Sequence, residues 1–135
     1  MNVTIKEIKD IPLESILELY TLNKWSSAKK PNTLYQALIH SDTLISAWVD
    51  KKLVGIANAI TDGYLVVYYP HLLIHPDYQG KGIGTQIMEA MQHIYGNFHQ
   101  QMLTADEKAI EFYKKCGFEK AGKTESMWIY QGKDH

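Results

Sequence analysis

Residues 75–91 read HPDYQGKGIGTQIMEAM, with glycines at three alternate positions, Gly80, Gly82 and Gly84. The run behind them is patterned as a helix, because Ile83, Ile87, Met91 and Ile94 return about every four residues along one face. A glycine in a helix costs about 1 kcal/mol against alanine, so three of them at its start need a reason. A helix N-terminus exposes N–H groups without partners and the positive end of the helix dipole. Glycine lets an anion come close to that backbone. The stretch reads either as a phosphate cradle or as a tight, glycine-rich turn from strand to helix.

The rest of the chain supplies the frame. Residues 3–8, VTIKEI, alternate as a strand, and Leu13, Ile16, Leu17 and Tyr20 fall on one helix face behind Pro12. KWSSAKKPN at 24–32 is a loop, and Leu34, Ala37 and Leu38 mark a short second helix. TLISAWVD, LVGIANAIT and YLVVYYPHLLI follow as three strands joined by turns at Asp50-Lys51-Lys52 and Asp62-Gly63. After the glycine helix come a strand in FHQQMLTA, a helix carrying Ala109, Phe112, Tyr113 and Cys116, and its stop at Gly117. FEKAG and SMWIYQ close the chain as two short strands. The order β-α-α-β-β-β-α-β-α-β-β predicts an α+β fold on one mixed, mostly antiparallel sheet flanked by helices.

Composition narrows the function. The 135 residues are 45 % hydrophobic, enough for one domain, 1–135, with a real core. Fourteen Lys and Arg against fifteen Asp and Glu leave no basic excess for nucleic acid or an anionic membrane. The one cysteine, Cys116, has no internal partner for a disulfide, which fits a reducing compartment. The first ten residues lack a signal-peptide core, and the longest central apolar stretch, YLVVYYPHLLI, is 11 residues with a proline. A soluble cytoplasmic protein is expected.

Two familiar phosphate cradles are excluded by spacing. A P-loop needs a Lys-Ser/Thr pair after its second glycine, and a dinucleotide fingerprint needs G-x-G-x-x-G; here the pattern is G-x-G-x-G followed by Thr85. The pattern that fits is Gln79-x-x-Gly82-x-Gly84, after a strand and at the start of a helix. Together with AIEFYKKCGF at 109–118 and the element order, this makes the chain resemble the GNAT superfamily of N-acetyltransferases across essentially its whole length. One departure is Asp106, where the family often has Asn seven residues before the helix tyrosine. Asp106 is expected either to contact CoA or only to cap the last helix.

The resemblance implies acetyl-CoA as cosubstrate and direct transfer of acetyl to an amine. It places the pyrophosphate on the backbone of Gln79, Gly80, Lys81, Gly82, Ile83, Gly84 and Thr85, with Lys81 either adding a charge or standing solvated. It sets the pantetheine arm against Leu72, Leu73 and Ile74, where a backbone N–H near Leu72 or Ile74 would bind the thioester oxygen. It makes Tyr113 the general acid, since a phenol with a pKa of about 10 stays protonated at pH 7; on patterning alone Tyr113 reads as a core aromatic. The family's base position, counted back from Gln79, falls on Tyr68, a poor base. His71 is three residues on and so on the opposite face of an ideal strand, though a bulge would turn it. Asp62, His40 and Tyr64 are further candidates.

His71 and His75 lie roughly 13 Å apart along a strand, too far to share an ion, so no metal is expected. Cys116 reads as packing rather than nucleophile. The acceptor walls implied by the family, KWSSAKKPN and EKAGKTESM, carry no dense acidic patch, so a polyamine is not favoured. Trp25, Tyr35, Tyr64 and Trp128 are candidate wall aromatics. A small primary amine is expected; a protein N-terminus or lysine, and an acyl-CoA sensor without turnover, stay open, as does a homodimer.

Overall fold

A hairpin forms the centre of the molecule. β2 (Thr43–Val49) and β3 (Lys52–Thr61) pair antiparallel, with Val49 opposite Lys52 across the turn Asp50-Lys51. Asp50 takes φ 54°, a left-handed conformation that Asp tolerates better than most residues. Both strands are buried on both faces over most of their length, because helices cover each side. The computed structural model describes residues 1–132.

β1 (Thr4–Lys6) adds to the outer edge of β2. α1 (Leu13–Leu22) and α2 (Pro31–Ile39) cover one face, with Ile16, Leu19, Leu34 and Leu38 buried on Leu44, Trp48, Leu53 and Ile56. Pro31 opens α2 at a position where its missing N–H costs nothing. α3 (Ile83–Tyr95) covers the other face, with Ile83, Ile87, Met88 and Met91 on Ile45, Ala47, Val54 and Ala57. Burial of each such side chain contributes about 1.5–3 kcal/mol. Among the described residues no helix is long and apolar enough to cross a membrane.

The expected strand at 64–74 is two strands, β4 (Val66–Tyr68) and β5 (Leu72–Ile74). Both pair antiparallel with β3, through Ile60↔Tyr68 and Ala57↔Leu72. Between those pairs β3 spends two residues, Asn58 and Ala59, while the other strand spends three, Tyr69, Pro70 and His71. The extra residue is a bulge. It reverses the side-chain parity. Val67 and Tyr69 pack toward α3, but so do Leu72 and Ile74, while Leu73 packs toward α1 and α2.

β6 (Gln100–Met102) pairs in parallel with β4 and follows it only as far as a bond from Tyr69 N–H to the Met102 carbonyl, 3.0 Å. Past the bulge, β5 therefore diverges from β6 and its outer edge is open. α4 (Ile110–Lys115) follows a 3₁₀ turn at Glu107–Ala109 and stops at Gly117, φ 98°.

The two strands expected at 118–122 and 126–131 are not formed: the described chain beyond α4 contains only turns and extended segments without ladder pairing. Alternating polarity makes a strand only where one face can be buried. Here Met127 is 94 % exposed and Ile129 fully so. The segment is held by side chains instead, with Tyr130 Oη 2.8 Å from Ser26 Oγ and Ser126 Oγ 3.5 Å from Thr104 Oγ1. Ile60, Tyr68 and Met102, adjacent across β3, β4 and β6, form a bare apolar row, with Met102 42 % exposed.

Candidate active site

The divergence of β5 from β6 opens a cleft of about 790 Å³. Its floor is Leu72–Ile74, one wall is the glycine loop, and the other is the segment from Thr104 to Tyr113. Trp25 and Asn23, at the end of α1, close the far end.

The glycines divide their work. Gly80 and Gly82 have φ 76° and 82°, where a side chain is strained, and a Cβ built on either meets no atom within 4 Å. The loop is thus left-handed with open space above it. Gly84 has an ordinary φ but lies against Phe112 of α4. The first bond of α3 runs from Gln86 N–H to the Gly82 carbonyl, 3.2 Å, and no side chain caps the helix. The N–H groups of Ile83, Gly84 and Thr85 therefore have no partner within the helix and stand at the cleft with the positive end of its dipole. Gln79 ties the loop to β5, its Nε2 donating to the Ile74 carbonyl at 3.1 Å. Lys81 is exposed and does not border the cleft.

The open edge of β5 has a fixed polarity. The N–H groups of His71 and His75 point at β3, one to Asn58 Oδ1 and the other to the Val54 carbonyl. Alternation then turns the N–H groups of Leu72 and Ile74 outward, toward the cleft.

Tyr113 borders the cleft between the rings of Phe112 and Phe118. Burial, helped by the neighbouring Cys116, pushes its phenol up to about 12, so the hydroxyl keeps its proton. Cys116 is itself pushed up by burial, which disfavours the thiolate a nucleophile requires. Asp106 borders the cleft and also caps the 3₁₀ turn before α4, accepting the Glu107 N–H at 3.0 Å.

The bulge places His71 on the α1 side of the sheet, the side that Tyr68 also faces. The two are not brought together. Tyr68 borders a separate shallow hollow with Ile60 and Met102. His71 Nδ1 lies 2.7 Å from the Tyr20 hydroxyl, and its ring meets the edge of Trp25 at 4.8 Å. Burial pushes Tyr20 well above an ordinary phenol, so that hydroxyl stays neutral. The other base candidates stand outside the cleft. Asp62 accepts N–H groups from Leu65, Tyr64 and Val66 in a turn, which holds its carboxyl below the usual range. His40 ends α2 with Nδ1 2.8 Å from the Gln36 carbonyl, and Tyr64 is exposed at a hairpin tip. His75 Nδ1 accepts the Asp77 N–H, and among the described residues no His/Cys/Asp/Glu group could hold a metal ion. Sequence reasoning missed Tyr69, Thr104 and Lys108, which border the cleft only because the bulge and α4 bring them there.

A family model, the acetyltransferase (GNAT) domain, matches residues 40–120, which carry the bulge, the glycine loop and Tyr113. An uncharacterized N-acetyltransferase of Pyropia yezoensis is 30 % identical over 125 residues, or 83 % of this chain and 72 % of that one. The GCN5-related N-acetyltransferase 2, chloroplastic, of Arabidopsis thaliana is 35 % identical over 75 residues, 52 % of this chain; the match spans 28 % of that protein's length. A GNAT family acetyltransferase from Streptococcus pneumoniae TIGR4 has the same fold at TM-score 0.84 and 30 % identity, covering 97 % of this chain and all of that one. The aminoglycoside N-acetyltransferase AAC(6')-Iy, solved with CoA, shares the fold alone at TM-score 0.71 and 17 % identity, covering 98 % of this chain and 95 % of that one. The chain belongs to the GNAT family of acetyltransferases.

Proposed function

We propose that the chain is a cytoplasmic, single-domain N-acetyltransferase that moves acetyl directly from acetyl-CoA to the primary amine of a small molecule. The supporting observation is that three groups face one cleft: the uncapped N-terminus of α3, the outward N–H groups of β5 and the protonated Tyr113. The N–H groups of Ile83, Gly84 and Thr85 hold the pyrophosphate, with Lys108 as a cation on the opposite wall. The β5 edge pairs with the amide-rich arm as an added strand does. The N–H of Leu72 or Ile74 then donates to the thioester oxygen, where negative charge develops as the amine attacks.

As the new N–C bond forms and the C–S bond breaks, Tyr113 gives its proton to the leaving sulfur and regains one from solvent. The amine's proton leaves through water toward His71, which stands with Tyr20 behind Trp25. Tyr68, bordering a different hollow, is left without a part in this reading. Asn23 and Trp25 wall the acceptor end, and Asp106 is the one carboxylate bordering the cleft among the described residues, which suits a small acceptor of low positive charge.

His71 does not itself border the cleft, which favours one rival, a module that binds acyl-CoA without turning it over. Titration calorimetry with acetyl-CoA, followed by thiol release with a panel of small primary amines and peptides bearing a free N-terminus or lysine, decides between them. Saturable binding with release driven by a small amine supports the proposal. Release with peptides alone moves the acceptor to protein, and binding without release supports the sensor.

A further inference from the structure

Asn58 lies in β3, outside the glycine loop, the cleft and the last helix, yet it is 4 % exposed and both polar atoms of its side chain have a hydrogen-bond partner. Its backbone N–H donates to the His71 carbonyl at 3.2 Å, and its side-chain Oδ1 accepts the His71 N–H at 3.1 Å. One residue therefore grips both polar groups of the backbone at the bulge. The amide's orientation is set from behind. Nδ2 donates to Ser41 Oγ at 3.0 Å, and Ser41 gives its single proton to the Ala37 carbonyl at 2.8 Å. Ser41 can only accept from position 58, so Oδ1 must face His71.

We infer that Asn58 is a positioning residue for acetyl transfer; the inference rests on the acetyltransferase reading above. A regular antiparallel pair between β3 and residues 66–74 would have no extra residue. Removing the bulge slips the register by one from Leu72 onward and turns every side chain to the opposite face. His71 would leave Tyr20 and Trp25, and the outward N–H groups of Leu72 and Ile74 would turn from the cleft. In the bulge a backbone N–H needs a partner that the ladder no longer supplies, and Asn58 Oδ1 is that partner. Asn58 thereby fixes both where His71 stands and which N–H groups meet the thioester oxygen. It touches neither the glycine loop nor α4.

The test compares wild type with Asn58→Ala and Asn58→Asp. Aspartate keeps the acceptor for His71 but faces the Ser41 lone pair with a buried charge. Three quantities are measured: kcat and KM with the best amine, the acetyl-CoA dissociation constant, and His71 amide exchange by NMR. Asn58→Ala is expected to lower kcat by about 100-fold, the scale of a small misplacement of reacting groups, with acetyl-CoA affinity falling by no more than about tenfold, because the β5 edge that pairs with the arm loosens while the pyrophosphate loop is untouched. His71 amide exchange should rise at least about tenfold while the Leu73 amide stays protected, with Asn58→Asp between wild type and Asn58→Ala. If Asn58→Ala does not fold, Ser41→Ala, which leaves Nδ2 unpaired, is expected to move the same quantities in the same direction by a smaller factor. A folded variant with kcat and His71 exchange both at wild-type values overturns the inference, and so does a loss of acetyl-CoA affinity equal to the loss of kcat. Wild type that binds acetyl-CoA but releases no thiol with any amine overturns the acetyltransferase reading instead. The exchange measurement then still reports whether Asn58 holds the bulge.

Discussion

Phe112 packs so closely on Gly84 that a Cβ at position 84 would lie 3.0 Å from Phe112 Cζ and 3.3 Å from Cε1. The third glycine of the loop thus serves the joint between α3 and α4. Gly84→Ala is expected to push Phe112 outward, destabilising by about 1–3 kcal/mol, the usual cost of overpacking. Urea unfolding measures it. Acetyl-CoA affinity should fall with it, because Tyr113 and the cleft wall ride on the same helix.

Gly82 predicts a different signature. Its Cβ would meet no atom, but φ 82° is unfavourable for alanine. Gly82→Ala should cost about 1–2 kcal/mol of stability from backbone conformation alone. Gly82→Val adds bulk in the space above the loop and should raise the acetyl-CoA dissociation constant at least about tenfold. Equal affinity in wild type and Gly82→Val would remove the phosphate from this loop.

Tyr113→Phe removes the proposed acid and little else, since the ring contacts to Phe112 and Phe118 persist. Turnover should fall about 100-fold or more with acetyl-CoA affinity near wild type. Because burial pushes this phenol up to about 12, it stays protonated through the assay range. A wild-type rate that falls with rising pH below about 10 would name another group as the acid.

His71→Ala and Tyr68→Phe separate the two candidates for the proton path. His71→Ala should lower kcat by about tenfold or more while leaving acetyl-CoA affinity near wild type. Tyr68→Phe should leave both unchanged, because its side chain borders the hollow with Ile60 and Met102. The opposite result would return the role to Tyr68.

Alkaline stability follows from buried phenols. Burial raises Tyr20, Tyr69, Tyr95 and Tyr113 above the ordinary value of about 10, Tyr95 to about 12 with help from Asp42. The unfolded chain loses these protons first. Stability is therefore unaffected by them below pH about 10 and falls between about 10 and 12, by up to about 1.4 kcal/mol per pH unit for each tyrosine. The urea midpoint should hold to pH 9.5 and then drop, less steeply in Tyr113→Phe.

The loop was legible in the sequence because its cause is local: glycines at Gly80 and Gly82 specify a backbone that few other residues adopt. The sheet and its flanking helices were legible for a similar reason, since Ile45 and Ala47 alternate with Leu44 and Trp48, and Ile83, Ile87 and Met91 keep the helical period. The bulge was legible only in part: Pro70 within YLVVYYPHLLI marks an interruption, but where the extra residue falls depends on Asn58 meeting His71 across the sheet. The same gap left Tyr68 and His71 undivided and hid Tyr69 and Lys108. SMWIYQ misled in the opposite direction: it alternates as a strand does, but Met127 and Ile129 have no surface to bury against.

The unburied apolar residues also rank the methionines by exposure. Met127 and Met1 are open to solvent and Met102 sits in the bare row, while Met88 and Met91 are sealed on the inner face of α3. In dilute peroxide, sulfoxide should form at Met127 and Met1 and then at Met102, well before it reaches the core. Each oxygen would add polarity to a patch that water already wets. Early oxidative damage would thus be absorbed at the surface, while the packing that holds the cleft stays intact.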